Sequence, residues 1–485
     1  MKSLSLLSLL ITLPFSLSAE PLIKLESETG EDLSRVELLN LNKEKTNALL
    51  RRADGEEFDT PLVYLSERSR QELIKTWADH RSKISIKLAP LNQAIGLPLF
   101  AKNGNIWNEP AAIVAKRLKL PKESSTPFTS SYRRYIRGNT YRFAGATPKT
   151  AVATGDHIGR TLSLSVIYSN KGDTLSTAGA GEDHFKSSGE GTSKSRLTQM
   201  MDADAQAITQ SLTGVLGEPI KQYMLGQGNK KHKVSRWDWN GHSFLLANVS
   251  NEYVSLQIVR TSFADGGGRF SSISDGDMRV RLKESVTTLE NGDVFIKDIP
   301  MVDQGPKGYC APATFERAMR HAGVPSDMYL LATLATTGGG GTNTNKLYEE
   351  IAFTTRSKGG RTARKIKLES LDPKKLKRYI EKGVPVLWQM CSLSGYNQIA
   401  NSRTRARRNI KDWAQYAEKI AAEAEKNATK LRARSNFHIC MIIGYNEATQ
   451  ELAVSDSWGK NYSMRWIHIS EAEAVSNRNG FVIDL

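Results

Sequence analysis

The apolar positions change period several times along the chain, and each change predicts a different kind of element. Between Gly30 and Trp77 short apolar runs alternate with turn signals, and Asp54-Gly55 separates "NALLRR" from "EEFDTPL", a pairing that marks a tight β-hairpin. Residues 20–80 therefore read as a small β-barrel with a short terminal helix. Over residues 91–289 "RTLSLSVIYSNKG" and "SFLLANVSNEYVSLQIVRTS" alternate with period two and predict strands, whereas "LTQMMDADAQAITQSLTGVLGEP" has helical spacing that stops before Gly217 and Pro219. An α+β domain is expected there, interrupted by the Gly/Ser-rich loop "STAGAGEDHFKSSGEGTSKSR". The sequence shows no internal repeat.

Over residues 294–485 the patterning is sharper. Phe315, Ala318, Met319 and Ala322 recur at helical spacing and stop at Gly323, with Pro325 just beyond, so a helix starts at Cys310. Ile439 to Tyr445 form a strongly apolar strand, Asn446 to Gln450 a turn, and Glu451 to Asp456 a returning strand. Trp413, Ala417, Ile420 and Ala424 place a basic amphipathic helix between these parts. "TTGGGGTNTNKLYEEI" reads as a glycine loop running into a Thr/Asn-capped helix; it lacks the lysine and strand context of a phosphate-binding loop.

Composition narrows the class of protein. A chain of 485 residues exceeds one core, and the reading is an α+β multidomain protein. The start, "MKSLSLLSLLITLPFSLSAEP", has a positive Lys2, an apolar run from Leu4 to Leu17 broken by Pro14, and small residues ending at Ala19. That is the anatomy of an export signal over residues 1–19, so a periplasmic, cell-envelope or extracellular location is expected, with no transmembrane segment in the mature chain. Cys310, Cys391 and Cys440 are odd in number and too few for a disulfide framework, which leaves at least one free thiol in an oxidising space. The net charge of +16 suits an anionic envelope polymer; no nucleic-acid motif accompanies it, and none is expected as partner. His157, His184, His232 and His242 lack metal-ligand spacing, so no metal or organic cofactor is expected.

Cys391 and Cys440 fit the pattern of small buried hydrophobes, but Cys310 stands where "GPKGY" gives way to a helix. The partial positive charge of a helix start favours thiolate over thiol. Attack on a carbonyl creates an oxyanion, for which the backbone N–H of Cys310 and the side-chain amide of Gln304 are the expected donors. His438 is the expected acid and base. If the hairpin is centred near Glu447 or Ala448, Asp456 lies opposite or nearly opposite His438 and fixes its tautomer. His321 and His468 are the competing bases: the first lies too far along the cysteine's own helix, and the second lacks a matching acid.

"DQGPKGYCAPA" together with "FHICMIIGYN" and "SDSWG" resembles the papain-like cysteine peptidase clan, closest to the branch of the double-glycine, bacteriocin-processing peptidases. The resemblance implies a papain-like fold over residues 294–485, with Gln304, Cys310, His438 and Asp456 as the catalytic set and Trp458 shielding the His438–Asp456 pair. Gly308, Tyr309 and Ala311 beside the sulfur, and Gly341 and Thr342 in the glycine loop, are expected to line the substrate cleft with Trp458. Ala311 replaces the glycine common after the nucleophile, and no transporter domain accompanies the segment. The order of parts over residues 20–80 resembles the Sla-type homology domain, a small Src-homology-like barrel, which implies a binding or spacer module. The function expected is hydrolysis of peptide or isopeptide bonds in a peptide or protein. A catalytically silent binding module and a transglutaminase-like acyl transferase are the alternatives.

Overall fold

The computed structural model describes residues 23–41, 44–52, 57–136, 138–174, 194–225, 232–266, 274–305, 309–333, 344–431 and 435–485. The expected export signal, the Asp54-Gly55 turn, and Gly308, Gly341 and Thr342 lie outside the described residues, as does most of the Gly/Ser-rich loop. The chain divides into two compact units, Met1–Ala89 with Lys102–Gly104, and Pro90–Ala101 with Asn105–Leu485.

In the first unit β1 (Ile23–Glu26), β2 (Asp32–Leu41), β3 (Asn47–Arg52) and β4 (Glu57–Pro61) form an antiparallel sheet in that order. The hairpin signal is followed by the register Leu50↔Phe58 and Arg51↔Glu57. Leu25, Val36, Leu50, Leu62, Leu65 and Leu73 make its core. The helix that follows, Glu67–Ile95, runs for 29 residues where a short one was expected, continuing through Pro90.

The second unit holds two sheets. The first joins β5 (Lys122–Ser125), β6 (Ser130–Tyr135), β7 (Thr150–Gly155), β8 (Thr161–Asn170), β9 (Ile220–Leu225), β10 (His232–Trp239), β11 (His242–Val249) and β12 (Tyr253–Arg260) in the order β5-β6-β7-β8-β12-β11-β10-β9. Two four-strand meanders thus meet through their last strands. Each is preceded by a helix, Ala111–Arg117 or Lys194–Leu216, and followed by a short one, Lys171–Thr174 or Thr261–Asp265. This is an internal duplication of structure that no sequence motif announced. His242 is a packed core residue here: it stacks on Trp107, accepts the Ile106 N–H at 3.3 Å, and burial pushes it down to about 3.

The second sheet comprises β13 (Val286–Thr288), β14 (Asp293–Ile296), β15 (Thr362–Lys367), β16 (Val386–Cys391), β17 (Phe437–Asn446), β18 (Glu451–Ser455), β19 (Arg465–His468) and β20 (Ser476–Asp484). Its order is β13-β14-β17-β16-β20-β15, with β18 on β17 and β19 on β18. Because β13 pairs with β14, this sheet begins upstream of residue 294, where the C-terminal domain was expected to start, and inside the span assigned to the middle domain. Alternate residues of β17 feed two cores. Ile439, Met441 and Ile443 face the helix Cys310–His321 with Phe315, Ala318 and Met319, while Cys440 and Ile442 pack with Trp388, Tyr396, Leu452 and Val454.

The stretch read as one basic amphipathic helix is two: Ser394–Ala406, then Trp413–Lys430. The break comes at Asp412, whose side chain caps the second helix by accepting the Gln415 N–H at 2.9 Å. Ile420 and Ala424 are its buried stripe. Buried ion pairs from Arg407 to Asp293 and Glu451 fasten the insertion to the sheet, and one from Arg403 to Glu471 fastens it to the helix Ile469–Val475.

Candidate active site

Cys310 is the first residue of its helix and is partly exposed, whereas Cys391 and Cys440 are buried; all three are free thiols. Burial pushes the Cys440 thiol up, and the neighbouring Asp456 carboxylate pushes it further, so that sulfur stays protonated. One turn beyond Cys310, and therefore on the same helix face, the Thr314 hydroxyl donates to the carbonyl of Ile439 at 3.0 Å. It also lies 3.3 Å from the Ser457 hydroxyl. These contacts bring the helix start to the end of the sheet where His438, the second residue of β17, stands.

The Gln304 N–H donates to the carbonyl of Ser457 at 2.8 Å, which sets the glutamine beside the residue that follows Asp456. Gln304 is fully buried. Arg317 ties these pieces together: its Nε donates to the carbonyl of Pro300 at 2.8 Å, and its Nη2 to the Ser455 hydroxyl. Burial lowers this guanidinium to about 10, still cationic at neutral pH.

His438 Nε2 lies 2.9 Å from Asp456 Oδ1, with the two residues only 4% and 1% exposed. An ionised carboxylate only accepts, so Nε2 carries the proton and Nδ1 is the basic nitrogen. The two residues are diagonal rather than opposite. Met441 pairs with Ser455 and Ile442 with Val454, whereas Gly444 pairs with Ala453, so one extra residue is inserted at Ile443. Extended to the strand ends, the register before this bulge sets Asp456 across from Cys440, two residues from His438 and on its face. The register beyond the bulge would leave them three apart, on opposite faces. The bulge thus decides that the pair forms.

Burial alone would raise the Asp456 carboxyl, but Arg465 and the hydrogen bond from His438 outweigh it and hold it well below the ordinary carboxylate range. The Trp458 ring covers His438 with centroids 5.0 Å apart and is itself buried, which keeps water from the pair.

The other expected residues have different places. Tyr309 is buried, its hydroxyl 3.3 Å from Asn170 Oδ1 and its ring edge-on to Tyr329. Ala311 packs into the core with Phe315. Neither side chain faces the solvent as cleft-lining residues would. His321 is buried at the far end of its helix, 2.9 Å from the carbonyl of Gly383 and lowered to about 4 by burial. His468 does have an acid beside it, Glu471, but both serve the capping box of the helix Ile469–Val475. Among the described residues no group of three or more His, Cys, Asp or Glu is arranged to hold a metal ion. No helix among them is long and apolar enough to cross a membrane.

Sequence reasoning passed over Thr314, Arg317, Ser457 and Arg465. The available signal was a charged residue at an inward position of a strand, as Arg465 is in "SMRWIHI".

Residues 296–480 match the model of the Peptidase_C39 like family, so the C-terminal region is similar to that family of papain-like cysteine peptidases. Among solved structures, the peptidase domain of Streptococcus ComA, a bi-functional ABC transporter involved in a quorum sensing pathway, is 14% identical to this chain. That match covers 38% of this chain and 96% of that one, with a TM-score of 0.24. No curated protein matches the chain.

Proposed function

We propose that this protein is an exported cysteine peptidase that hydrolyses a peptide or isopeptide bond with Cys310 as nucleophile. The observation that carries the reading is the buried, Trp458-covered bond between His438 Nε2 and Asp456 Oδ1, at the sheet end to which Thr314 ties the start of the Cys310 helix. In this reading Cys310 and His438 act together across the end of β17. The thiol proton passes to His438 Nδ1, and the sulfur attacks the carbonyl carbon. The oxyanion takes hydrogen bonds from the Cys310 N–H and the Gln304 amide. His438 returns the proton to the leaving nitrogen as the C–N bond breaks, giving a thioester and a free amine. Water then loses a proton to His438 and attacks the thioester; the C–S bond breaks, the acid leaves and the thiol is restored. The first unit serves as a small barrel-like binding or spacer module, a reading supported by its four-stranded antiparallel sheet.

The test is to incubate the full mature chain with a thiol-reactive epoxide at neutral pH and locate the adduct by mass spectrometry. Cys310 labels selectively over Cys391 and Cys440, and His438→Ala abolishes that selectivity. Equal labelling of all three, or none, sinks the reading. A peptide library cleaved by the wild type and not by Cys310→Ser then defines the bond.

A further inference from the structure

Asp456 has two oxygens, and the peptidase reading uses one. Oδ2 accepts from Arg465 Nη2 at 2.5 Å, and Arg465, on β19, is almost wholly buried. Its Nη1 donates to Asn397 Oδ1 at 3.0 Å and to Asn401 Oδ1 at 3.2 Å. The guanidinium lies over the rings of Trp458 and Tyr462, at 5.2 and 5.5 Å from their centroids. Asn397 and Asn401 sit one turn apart on the Ser394–Ala406 helix, within the insertion that separates the two halves of the site. An unbroken line of contacts thus runs from the inserted helix through Arg465 and Asp456 to the imidazole.

We propose that Arg465 is a positioning residue for the peptidase: it holds Asp456 Oδ2 so that Oδ1 stays aimed at His438, and the inserted helix holds Arg465 in place through Asn397 and Asn401. The proposal rests on the peptidase reading. Its physical content is a contest between two effects on a buried carboxylate. Water exclusion favours the neutral acid, and the fixed cation favours the anion. Without the guanidinium, Asp456 keeps one partner, becomes protonated toward the acid end of the working pH range, and there no longer accepts from Nε2–H in its charged form. The planar fork suits the task because one nitrogen takes the carboxylate while the other reaches the two amides.

The experiment measures the rate at which iodoacetamide labels Cys310 in the full chain between about pH 5 and about pH 8, in the wild type, Arg465→Met, Arg465→Lys and Asp456→Asn. The wild type labels with little pH dependence, as a thiolate–imidazolium pair does. Arg465→Met approaches the wild type near pH 8 and falls about tenfold or more toward the Asp456→Asn rate near pH 5, a change equivalent to one titration step. Arg465→Lys restores most of the flat profile. A purely structural role would lower the rate by one factor at every pH, and that result in Arg465→Met overturns the proposal. If Arg465→Met fails to fold by circular dichroism, the Asn397→Ala/Asn401→Ala pair decides: a weaker acid limb supports the proposal and a wild-type profile overturns it. Labelling that His438→Ala leaves unchanged removes the peptidase reading, and this one with it.

Discussion

At the scale of single residues, Gln304 has the most specific expected effect. A buried amide that donates to the oxyanion and not to the ground state contributes to kcat far more than to KM. Gln304→Ala is expected to lower kcat by about 10²–10³-fold with KM nearly unchanged, measured on a peptide that the wild type cleaves. The four proposed catalytic residues stand out in the sequence by type and interval: a cysteine at a helix start, a glutamine six residues earlier, and a histidine and an aspartate flanking one hairpin. Arg465 does not. A lone arginine in a strand has many uses, and its meaning comes from Asn397 and Asn401, more than sixty residues away in sequence.

At the scale of elements, Gly444 is the residue on which the hairpin turns. A Cβ there would stand 2.5 Å from the carbonyl oxygen of Val294 and 2.6 Å from Phe295 Cβ, both on the neighbouring β14. Overpacking of this kind costs about 1–3 kcal/mol, and it falls directly after the bulge that puts His438 and Asp456 on one face. Gly444→Ala is expected to lose that stability and most Cys310 labelling, whereas Gly214→Ala, in a helix with nothing within 4 Å, is expected to gain about 0.5–1 kcal/mol. Chemical denaturation of both variants checks the contrast. Periodicity and apolar runs made the strands β8, β11, β12 and β17 and the helices Lys194–Leu216 and Cys310–His321 readable, even though β17 and the Cys310 helix are buried on both sides. The bulge was invisible because one extra residue leaves an apolar run apolar. The doubled meander escaped as well, for its halves share a fold without sharing a motif.

At the scale of the molecule, the first sheet of the second unit is bound to the peptidase sheet through the cysteine helix. Arg133 of β6 donates to Glu316 of that helix at 2.7 Å, 183 residues apart in sequence, and Tyr135 donates to the carbonyl of Asp303 beside Gln304. Around Glu316 lie Arg133, Arg320, Glu123 and Asp327, three carboxylates for two guanidinium groups, with Tyr135 bonded to Glu123. Burial, the largest influence, raises Glu316 to about 7, so the cluster keeps a proton. A raised carboxyl stabilises the fold most below the unfolded value, near 4.5, and that share is lost as pH rises to about 7. The melting temperature is expected to fall by several degrees between about pH 5 and about pH 7.5, and Glu316→Gln should flatten this trend, read by calorimetry. Such a cluster cannot be seen in a sequence, where its members are ordinary charges scattered over two hundred positions.

The helix that starts at Cys310 is buried on every side from Ala311 to His321. Its outward Glu316 and Arg320 are as buried as its inward Phe315 and Met319, because the first sheet lies against its back through Arg133 and Ser124. A fragment trimmed to the matched stretch would leave Glu316 without Arg133 and Arg320 without Ser124, and would begin at the end of β14. On the proposed reading, the piece that keeps both sheets, Pro90–Leu485, is more than twice as long as the matched segment, and a protease that severed the halves is expected to silence the molecule instead of arming it.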